Sequence, residues 1–132
     1  EAYSIITSAY PYRSLSYDDF IEVLDMLEET QERRSIVHEN TSYFRKKIKN
    51  LGFEVLEGQH PIVPIMLRDS NLCQKMAKSL SKKGVYVAPF SFPVVPRGTD
   101  RIRTQMSAAL SISDLDLAIL AFHDAGKEIG VI

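Results

Sequence analysis

A helical repeat that begins at Tyr17 constrains the fold of this 132-residue chain more than any other feature. Apolar side chains recur at spacings of three and four, pause over a polar stretch at residues 28–35, and resume up to Leu51. This spacing predicts one long amphipathic helix, or two in line, with Ser16 as N-cap and Gly52 as C-terminal cap. The apolar positions are Tyr17, Phe20, Ile21, Leu24, Leu27, Val37, Phe44, Ile48 and Leu51.

A helix of about 35 residues is too long for the ~80 residues that follow it to cover. We therefore expect the stripe that contains Phe20, Leu24 and Leu27 to stay partly uncovered, and we expect a neighbouring domain. The chain does not begin with Met, and we expect it to be part of a longer protein. Residues 1–16, which lack helical periodicity and contain Pro11, are predicted to form an irregular N-terminal arm.

After Gly52 the predicted order of elements is strand, strand, helix, strand, loop, strand and helix. Pro61 and Pro64 predict that the second strand lies at a sheet edge, at least over its first half, because proline cannot donate to a β-ladder. The proline-rich stretch Pro89–Gly98 predicts a loop. The order of elements predicts an α+β fold in which a small mixed or antiparallel sheet carries its helices on one face. The predicted strands are Phe53–Leu56, Ile62–Leu67, Val85–Ala88 and Arg101–Ser107.

Two further helices are predicted from caps and apolar periodicity. The first starts at Asp69 or Ser70 and ends at Gly84. The second starts at a capping-box variant formed by Ser113 and Asp116. Their core-facing positions are Leu72, Cys73, Met76, Ala77 and Leu80 in the first helix, and Leu115, Ile119, Phe122 and Ile129 in the second.

Composition argues against several classes of function. The chain has 16 basic and 17 acidic residues, a net charge of −1, so it lacks the basic character of a nucleic-acid-binding protein. No apolar run approaches the roughly 20 residues that a membrane span needs. The lone cysteine, Cys73, cannot form an intramolecular disulfide, and its place on an apolar helix face predicts burial. His38, His60 and His123 are too widely spaced to predict a metal site.

The basic stretch Arg45–Lys49, beside Tyr43 and Phe44, has two interpretations. It is either an RNA-contacting patch or the solvated face of the long helix. The aromatic residues fall in phase with the apolar stripe, which favours the solvated face.

Arg101 and Arg103 alternate with Ile102 in the last predicted strand. Strand alternation places both arginines off the core face, or one of them in a cleft shared with another domain. A guanidinium fixed on a strand binds a carboxylate well, because its planar fork matches two oxygens. The alternative is that both arginines pair at the surface with Asp100 or with other acidic side chains.

The segments PIVPIMLRDS, GVYVAPFSFPVVPRGTDRIRTQMSAA and AGKEIGVI together resemble the C-terminal domain of the α-oxoamine synthases. These are pyridoxal-phosphate enzymes of the aspartate-aminotransferase fold, fold type I. The resemblance covers about residues 17–132, and its most specific parts are Pro93–Pro96, Gly98 and Arg101–Arg103. The PVVP form together with RTQMSAA resembles the glycine C-acetyltransferase branch. The family often has glycine where this chain has Arg68, and usually histidine where it has Leu110.

The resemblance implies that residues 17–132 are the small C-terminal domain of a larger enzyme, whose large domain holds pyridoxal 5'-phosphate. It implies that Arg103 binds the carboxylate of the amino-acid substrate, and that glycine condenses with acetyl-CoA to give 2-amino-3-oxobutyrate and CoA in threonine and glycine metabolism. The Schiff-base lysine would lie in the large domain, so no residue of this chain is a candidate catalytic residue. We expect this chain alone to be inactive and free of the cofactor. The complete enzyme is expected to be a homodimer in the cytoplasm, or in the mitochondrion of a eukaryote.

Two other functions fit the same residues. One is another α-oxoamine synthase, of the 8-amino-7-oxononanoate or 5-aminolevulinate synthase type. The other is a regulatory domain that binds an amino-acid carboxylate through Arg103 without chemistry.

Overall fold

The computed structural model describes residues 16–132, apart from the side chains of Tyr17, Asp19 and residues 22–28. The predicted irregular arm therefore lies outside the described residues, except for Ser16. The chain divides into two compact units, residues 1–35 and 36–132. The helices are α1 (Tyr17–Asn50), α2 (Ser70–Lys82) and α3 (Ile112–Ile129), and the strands are β1 (Glu54–Val55), β2 (Ile62–Met66), β3 (Ala88–Phe90) and β4 (Arg101–Gln105).

The long helix α1 is continuous from Tyr17 to Asn50, as its periodicity predicts. The Ser16 carbonyl accepts the Phe20 N–H at 3.0 Å, and Gly52 ends the helix with a left-handed φ of 104°. The expectation of an uncovered stripe is wrong for Phe20, which is buried at 5% exposure. The side chains of Leu24 and Leu27 lie outside the described residues.

The four strands form an antiparallel sheet in the order β1-β2-β4-β3. β2 is an interior strand over its second half, where Ile65 and Met66 pair with β1. Its first half is open on that side, as Pro61 and Pro64 predict, and the Ile62 carbonyl there accepts a hydrogen bond from Arg45 Nη2 at 3.4 Å. The fold is therefore α+β. Its sheet is purely antiparallel, and β4 is paired on both sides.

The core of residues 36–132 lies between one face of the sheet and the three helices. Phe122 of α3 is at its centre and makes edge-to-face contacts with Phe44 and Phe53, with ring centroids 5.9 and 6.0 Å apart. Such pairs stabilise a core beyond the area they bury. The predicted core faces of α2 and α3 are confirmed except at Leu72, which is half-buried and outside the cluster, while Ala77 and Ile129 pack against the cluster partly buried. The cluster contains Phe44, Ile48, Phe53, Val55, Val63, Ile65, Cys73, Met76, Leu80, Ile102, Met106, Leu115, Ile119, Ala121, Phe122 and Ala125.

The third strand lies further along the chain than predicted, at Ala88–Phe90 instead of Val85–Ala88. The Val85 N–H donates to the Leu80 carbonyl at 2.9 Å, so this residue still closes the end of α2. Val85 and Val87 pack on the core while Tyr86 is exposed, and this alternation of burial explains the strand-like pattern. The proline loop accordingly begins after Phe90.

The helix α3 starts two residues earlier than predicted. Ser111 is its N-cap and forms a capping box with Asp114, whereas Ser113 and Asp116 do not cap it. Asp116 instead accepts a hydrogen bond from the Tyr43 hydroxyl at 2.5 Å, which ties α3 to α1. For α2, the structure selects Asp69 as the cap, because its carboxylate accepts the Leu72 N–H.

The basic stretch of α1 belongs to the fold. Phe44 and Ile48 are fully buried, and Arg45 donates to the carbonyls of Gly58 and Ile62. Lys49 pairs with Glu57. These contacts support the interpretation as a helix face. Among the described residues, no helix is both long and apolar enough to cross a membrane.

Candidate functional site

Arg101 and Arg103 project from β4 on the sheet face away from the core. Ile102 and Thr104, which alternate with them, are buried, and both arginines are half-buried. This confirms the orientation that strand alternation predicts.

The two guanidinium groups have different surroundings. Arg101 Nε donates to the Thr99 carbonyl at 3.0 Å. The Arg103 guanidinium lies over the Phe90 ring, 5.5 Å from its centroid. Among the side chains that the structure describes, neither arginine is within ion-pair distance of a carboxylate, so the alternative of a surface pair with Asp100 is not found there. Arg103 therefore keeps its N–H donors available, whereas Arg101 uses one.

A cavity of about 820 Å³ lies beside Arg103. Its walls are the segment Lys83–Ala88, the second half of β4, and the first half of α3. Its lining is mostly apolar with a few polar groups, which is the usual composition of a small-molecule site. The apolar side chains that line it include Val85, Val87, Met106, Leu110, Leu115 and Ala118.

Three charged side chains line the cavity: Lys83, Asp114 and Arg103. Lys83 Nζ is 3.2 Å from Glu128 Oε2 and also contacts the Ser79 hydroxyl. The Asp114 carboxylate is bound by Ser111, and these hydrogen bonds lower its pKa. Of these three, Arg103 is the one without a hydrogen-bond or ion-pair partner among the described residues. The site can therefore hold an anion, and a planar fork fits a carboxylate.

Two contributors to this site were missed from the sequence. Phe90 was assigned to the loop instead of the strand beside Arg103. Asn40 of α1 is buried, and its side-chain amide donates to the carbonyls of Ser107 and Leu110 at 3.0 and 2.9 Å, which fixes the turn between β4 and α3. A signal for Asn40 exists, because it lies three residues after Val37 and four before Phe44, in phase with the apolar stripe.

Cys73, His60 and His123 have structural surroundings, and His38 is exposed. Cys73 is fully buried, as predicted, and burial raises the pKa of its thiol to about 11. His123 lies beside Asp124, and the His60 ring accepts the Ile62 N–H. Across the part of the chain that the structure describes, no three metal-ligating side chains are grouped closely enough to hold a metal ion.

The cavity does not fit the cofactor that the resemblance implies. Pyridoxal phosphate needs a lysine for its imine and a partner for its ring nitrogen. Lys83 and Asp114 are the lysine and the carboxylate of this cavity's lining, and both are engaged in contacts that hold α2 and α3. Among the described residues, Arg103 lines the cavity without a hydrogen bond or ion pair, so the lining has one unpaired cation and neither of the two groups that the cofactor needs.

Comparison with known proteins extends the resemblance. The aminotransferase class I and II family profile matches residues 3–122, so the likeness begins within the segment predicted to be an irregular arm. 2-Amino-3-ketobutyrate coenzyme A ligase of Escherichia coli K12 is 44% identical over 112 residues, which are 85% of this chain and 28% of that protein. 8-Amino-7-oxononanoate synthase of Thermosipho melanesiensis is 38% identical over the same share of this chain and 29% of its own.

A solved structure agrees with these relatives. Serine palmitoyltransferase from S. paucimobilis, with a pyridoxal phosphate–myriocin aldimine bound, matches with a TM-score of 0.74 and 28% identity. The match covers 78% of this chain and 26% of that chain. This chain thus spans under a third of the length of the relatives it matches.

The family profile covers most of the chain, and both curated relatives and the solved structure are α-oxoamine synthases. The chain belongs to the aminotransferase class I and II family, within its pyridoxal-phosphate-dependent α-oxoamine synthase group.

Proposed function

We propose that residues 17–132 are the small C-terminal domain of a larger α-oxoamine synthase, and that Arg103 binds the carboxylate of its amino-acid substrate. One observation carries this proposal: Arg103 is half-buried, lines a largely apolar cavity, and has no hydrogen-bond or ion-pair partner among the described residues. A partly desolvated cation without a partner is costly, so the site is suited to an anion that arrives from outside.

The reaction we propose is the condensation of glycine with acetyl-CoA to 2-amino-3-oxobutyrate and CoA. The 44% identity to a 2-amino-3-ketobutyrate coenzyme A ligase supports this member of the group. Pyridoxal phosphate, held by the rest of the enzyme, would supply the electron sink for the chemistry. Arg103 would bind two carboxylate oxygens and so fix the rotation of the amino acid relative to that group. We further propose a homodimer in the cytoplasm, or in the mitochondrion if the source is a eukaryote.

The 8-amino-7-oxononanoate synthase relative, at 38% identity, supports a second member of the same group. A panel of amino acids and acyl-CoAs, tested on the full-length protein, separates the two. Preference for glycine with acetyl-CoA supports the first proposal, and preference for another amino acid with a longer acyl-CoA supports the second.

The test of the carboxylate site is Arg103→Lys in the full-length protein, with Arg101→Lys as the matched control. Lysine keeps the charge but loses the planar fork, so alignment suffers more than attraction. We expect kcat/KM for glycine to fall at least about tenfold, which corresponds to about 1.4 kcal/mol of transition-state stabilisation. The KM for acetyl-CoA should change much less. Arg101→Lys should have a smaller effect, because its Nε bond to the Thr99 carbonyl is replaceable by an ammonium group.

Equal and small effects of the two substitutions would show that the carboxylate is bound elsewhere. Saturable glycine binding to a natural full-length protein that has no acyltransferase activity would instead support the regulatory interpretation.

A further inference from the structure

We propose that Phe90 is a positioning residue for Arg103: its ring holds the guanidinium by a cation–π contact and leaves the N–H donors free for the substrate. This inference rests on the proposed role of Arg103. It concerns a residue of β3 that donates no hydrogen bond and would not touch the carboxylate itself.

The register of the sheet brings the two side chains together. Ala88 pairs with Arg103 and Phe90 pairs with Arg101, so Phe90 and Arg103 are diagonal neighbours on one face of the β3–β4 ladder. Aromatic and long side chains reach each other across such a diagonal. The observed distance of 5.5 Å from Arg103 Cζ to the ring centroid is within the range of cation–π attraction.

The other cross-strand neighbours of Arg103 do not compete with Phe90 for the guanidinium group. Ala88 lies opposite on β3, and Pro64 lies opposite on β2. Neither side chain carries a hydrogen-bonding group, and the Ala88 methyl is too small to cover the guanidinium. The arginine is thus bordered by apolar side chains on both adjacent strands.

An aromatic partner suits this task better than an acidic one. A carboxylate next to Arg103 would occupy the fork that the substrate needs. A ring attracts the cation through its face, and the five N–H donors, which lie in the guanidinium plane, stay available. Phe90 also lines the cavity beside Arg103, so the contact lies at the candidate site.

The proline loop provides a matched control. Arg97 lies over the ring of Phe92, with Cζ 4.3 Å from the centroid. Phe92 is 56% exposed, and neither residue lines the cavity. Phe92→Leu therefore removes a second arginine–phenylalanine contact, two residues from Phe90, without altering the surroundings of Arg103.

The first measurement, like the second, uses the full-length protein. In ¹⁵N relaxation experiments on arginine Nε–H groups, Phe90→Leu should lower the order parameter of Arg103 while Phe92→Leu should leave it unchanged. Phe90→Tyr, which keeps the ring face, should retain the order of the parent chain. An Arg103 order parameter that is the same in the parent and in Phe90→Leu would overturn the inference.

The second measurement uses the full-length protein. Phe90→Leu should raise the KM for glycine by about threefold to tenfold, the range that a cation–π contact of ordinary strength predicts. The KM for acetyl-CoA should change less than twofold, as should both constants in Phe92→Leu, and Phe90→Tyr should restore the KM for glycine. Equal glycine constants in Phe90→Leu and Phe92→Leu would refute the positioning role.

The two proposals fail separately. If Arg103→Lys lowers glycine efficiency but Phe90→Leu matches its control, the carboxylate site stands and the role of Phe90 is wrong. If Arg103→Lys has no effect, the carboxylate site fails, and the role of Phe90 fails with it.

Discussion

Asn40 offers the sharpest test of the structure, because one amide fixes the turn that joins β4 to α3. Its Nδ2 donates to the carbonyls of Ser107 and Leu110, both near 3.0 Å, across 67 and 70 residues of sequence. In Asn40→Ala the Leu110 carbonyl loses this donor. The Ser107 carbonyl keeps only the longer bond of 3.4 Å from the Leu110 N–H.

The expected cost follows from these two acceptors. A buried polar group left without a partner costs about 1–3 kcal/mol, and a lost net hydrogen bond about 0.5–1.5 kcal/mol, so the free energy of unfolding should fall by about 2–4 kcal/mol. For a chain of this size each kcal/mol lowers Tm by about 3–5 °C, so the Tm should fall by about 6–20 °C. Urea unfolding and calorimetry measure the two quantities.

The neighbouring residue is the control. Thr41 is equally buried, but its hydroxyl bonds to the Val37 carbonyl one turn earlier in the same helix, at 2.6 Å. Thr41→Val should cost no more than about 1 kcal/mol, because only a local bond is lost. Costs below 1 kcal/mol for both Asn40→Ala and Thr41→Val would show that the turn does not depend on the amide.

Two predictions concern ionisable side chains of α2 and α3, namely Cys73 and Glu128. A hydrogen bond from Ser79, and to a lesser extent one from Lys83, lowers the pKa of Glu128. The Glu128 carboxylate therefore stabilises the fold at pH values above the ordinary pKa of glutamate. This stabilisation is lost as the pH falls through the lowered pKa. In urea unfolding, the free energy of unfolding should therefore fall more steeply with decreasing pH in the parent than in Glu128→Gln. Identical pH dependences in the two proteins would contradict this prediction. Burial raises the pKa of Cys73 from 9.0 to about 11, so Ellman's reagent at pH 8 should react at least about a hundredfold more slowly than with the urea-unfolded chain. A rate in the folded protein equal to the unfolded rate would show that the thiol is accessible.

The periodic parts of this fold were predictable because burial and secondary structure agree there. The stripe of α1 predicts the buried Phe44 and Ile48, and Cys73, Met76 and Leu80 of α2 are all fully buried as their spacing indicates. In these helices a repeat of three and four residues reports directly on which face meets the core.

Prediction failed where two local patterns compete and a distant contact decides between them. Ser111 with Asp114 and Ser113 with Asp116 have the same capping spacing, and the structure uses the first pair while Asp116 bonds to Tyr43. Tyr43 is 73 residues away, so no local window contains the information.

The candidate site shows the same division. Alternation in β4 predicts the orientation of Arg103, but the neighbours of Arg103 are set by the register with β3. That strand starts three residues and ends two residues later than the sequence pattern predicts. The cation–π contact between Arg103 and Phe90 and the two hydrogen bonds from the Asn40 amide are tertiary features. Their residue types have several ordinary structural uses, and only the pairing of strands and helices selects among them.

The position of β4 between β2 and β3 has a consequence for the thermodynamics of binding. Because hydrogen bonds hold this strand on both sides, the backbone that carries Arg103 loses no further freedom when an anion arrives. Ordering a backbone residue costs about 1–2 kcal/mol, so a binding arginine on a mobile loop would bear that entropic cost for each residue it ordered. In the proposed site, carboxylate binding would therefore remove conformational entropy mainly from the rotamers of the Arg103 side chain, and the proposed contact with Phe90 would already limit those rotamers.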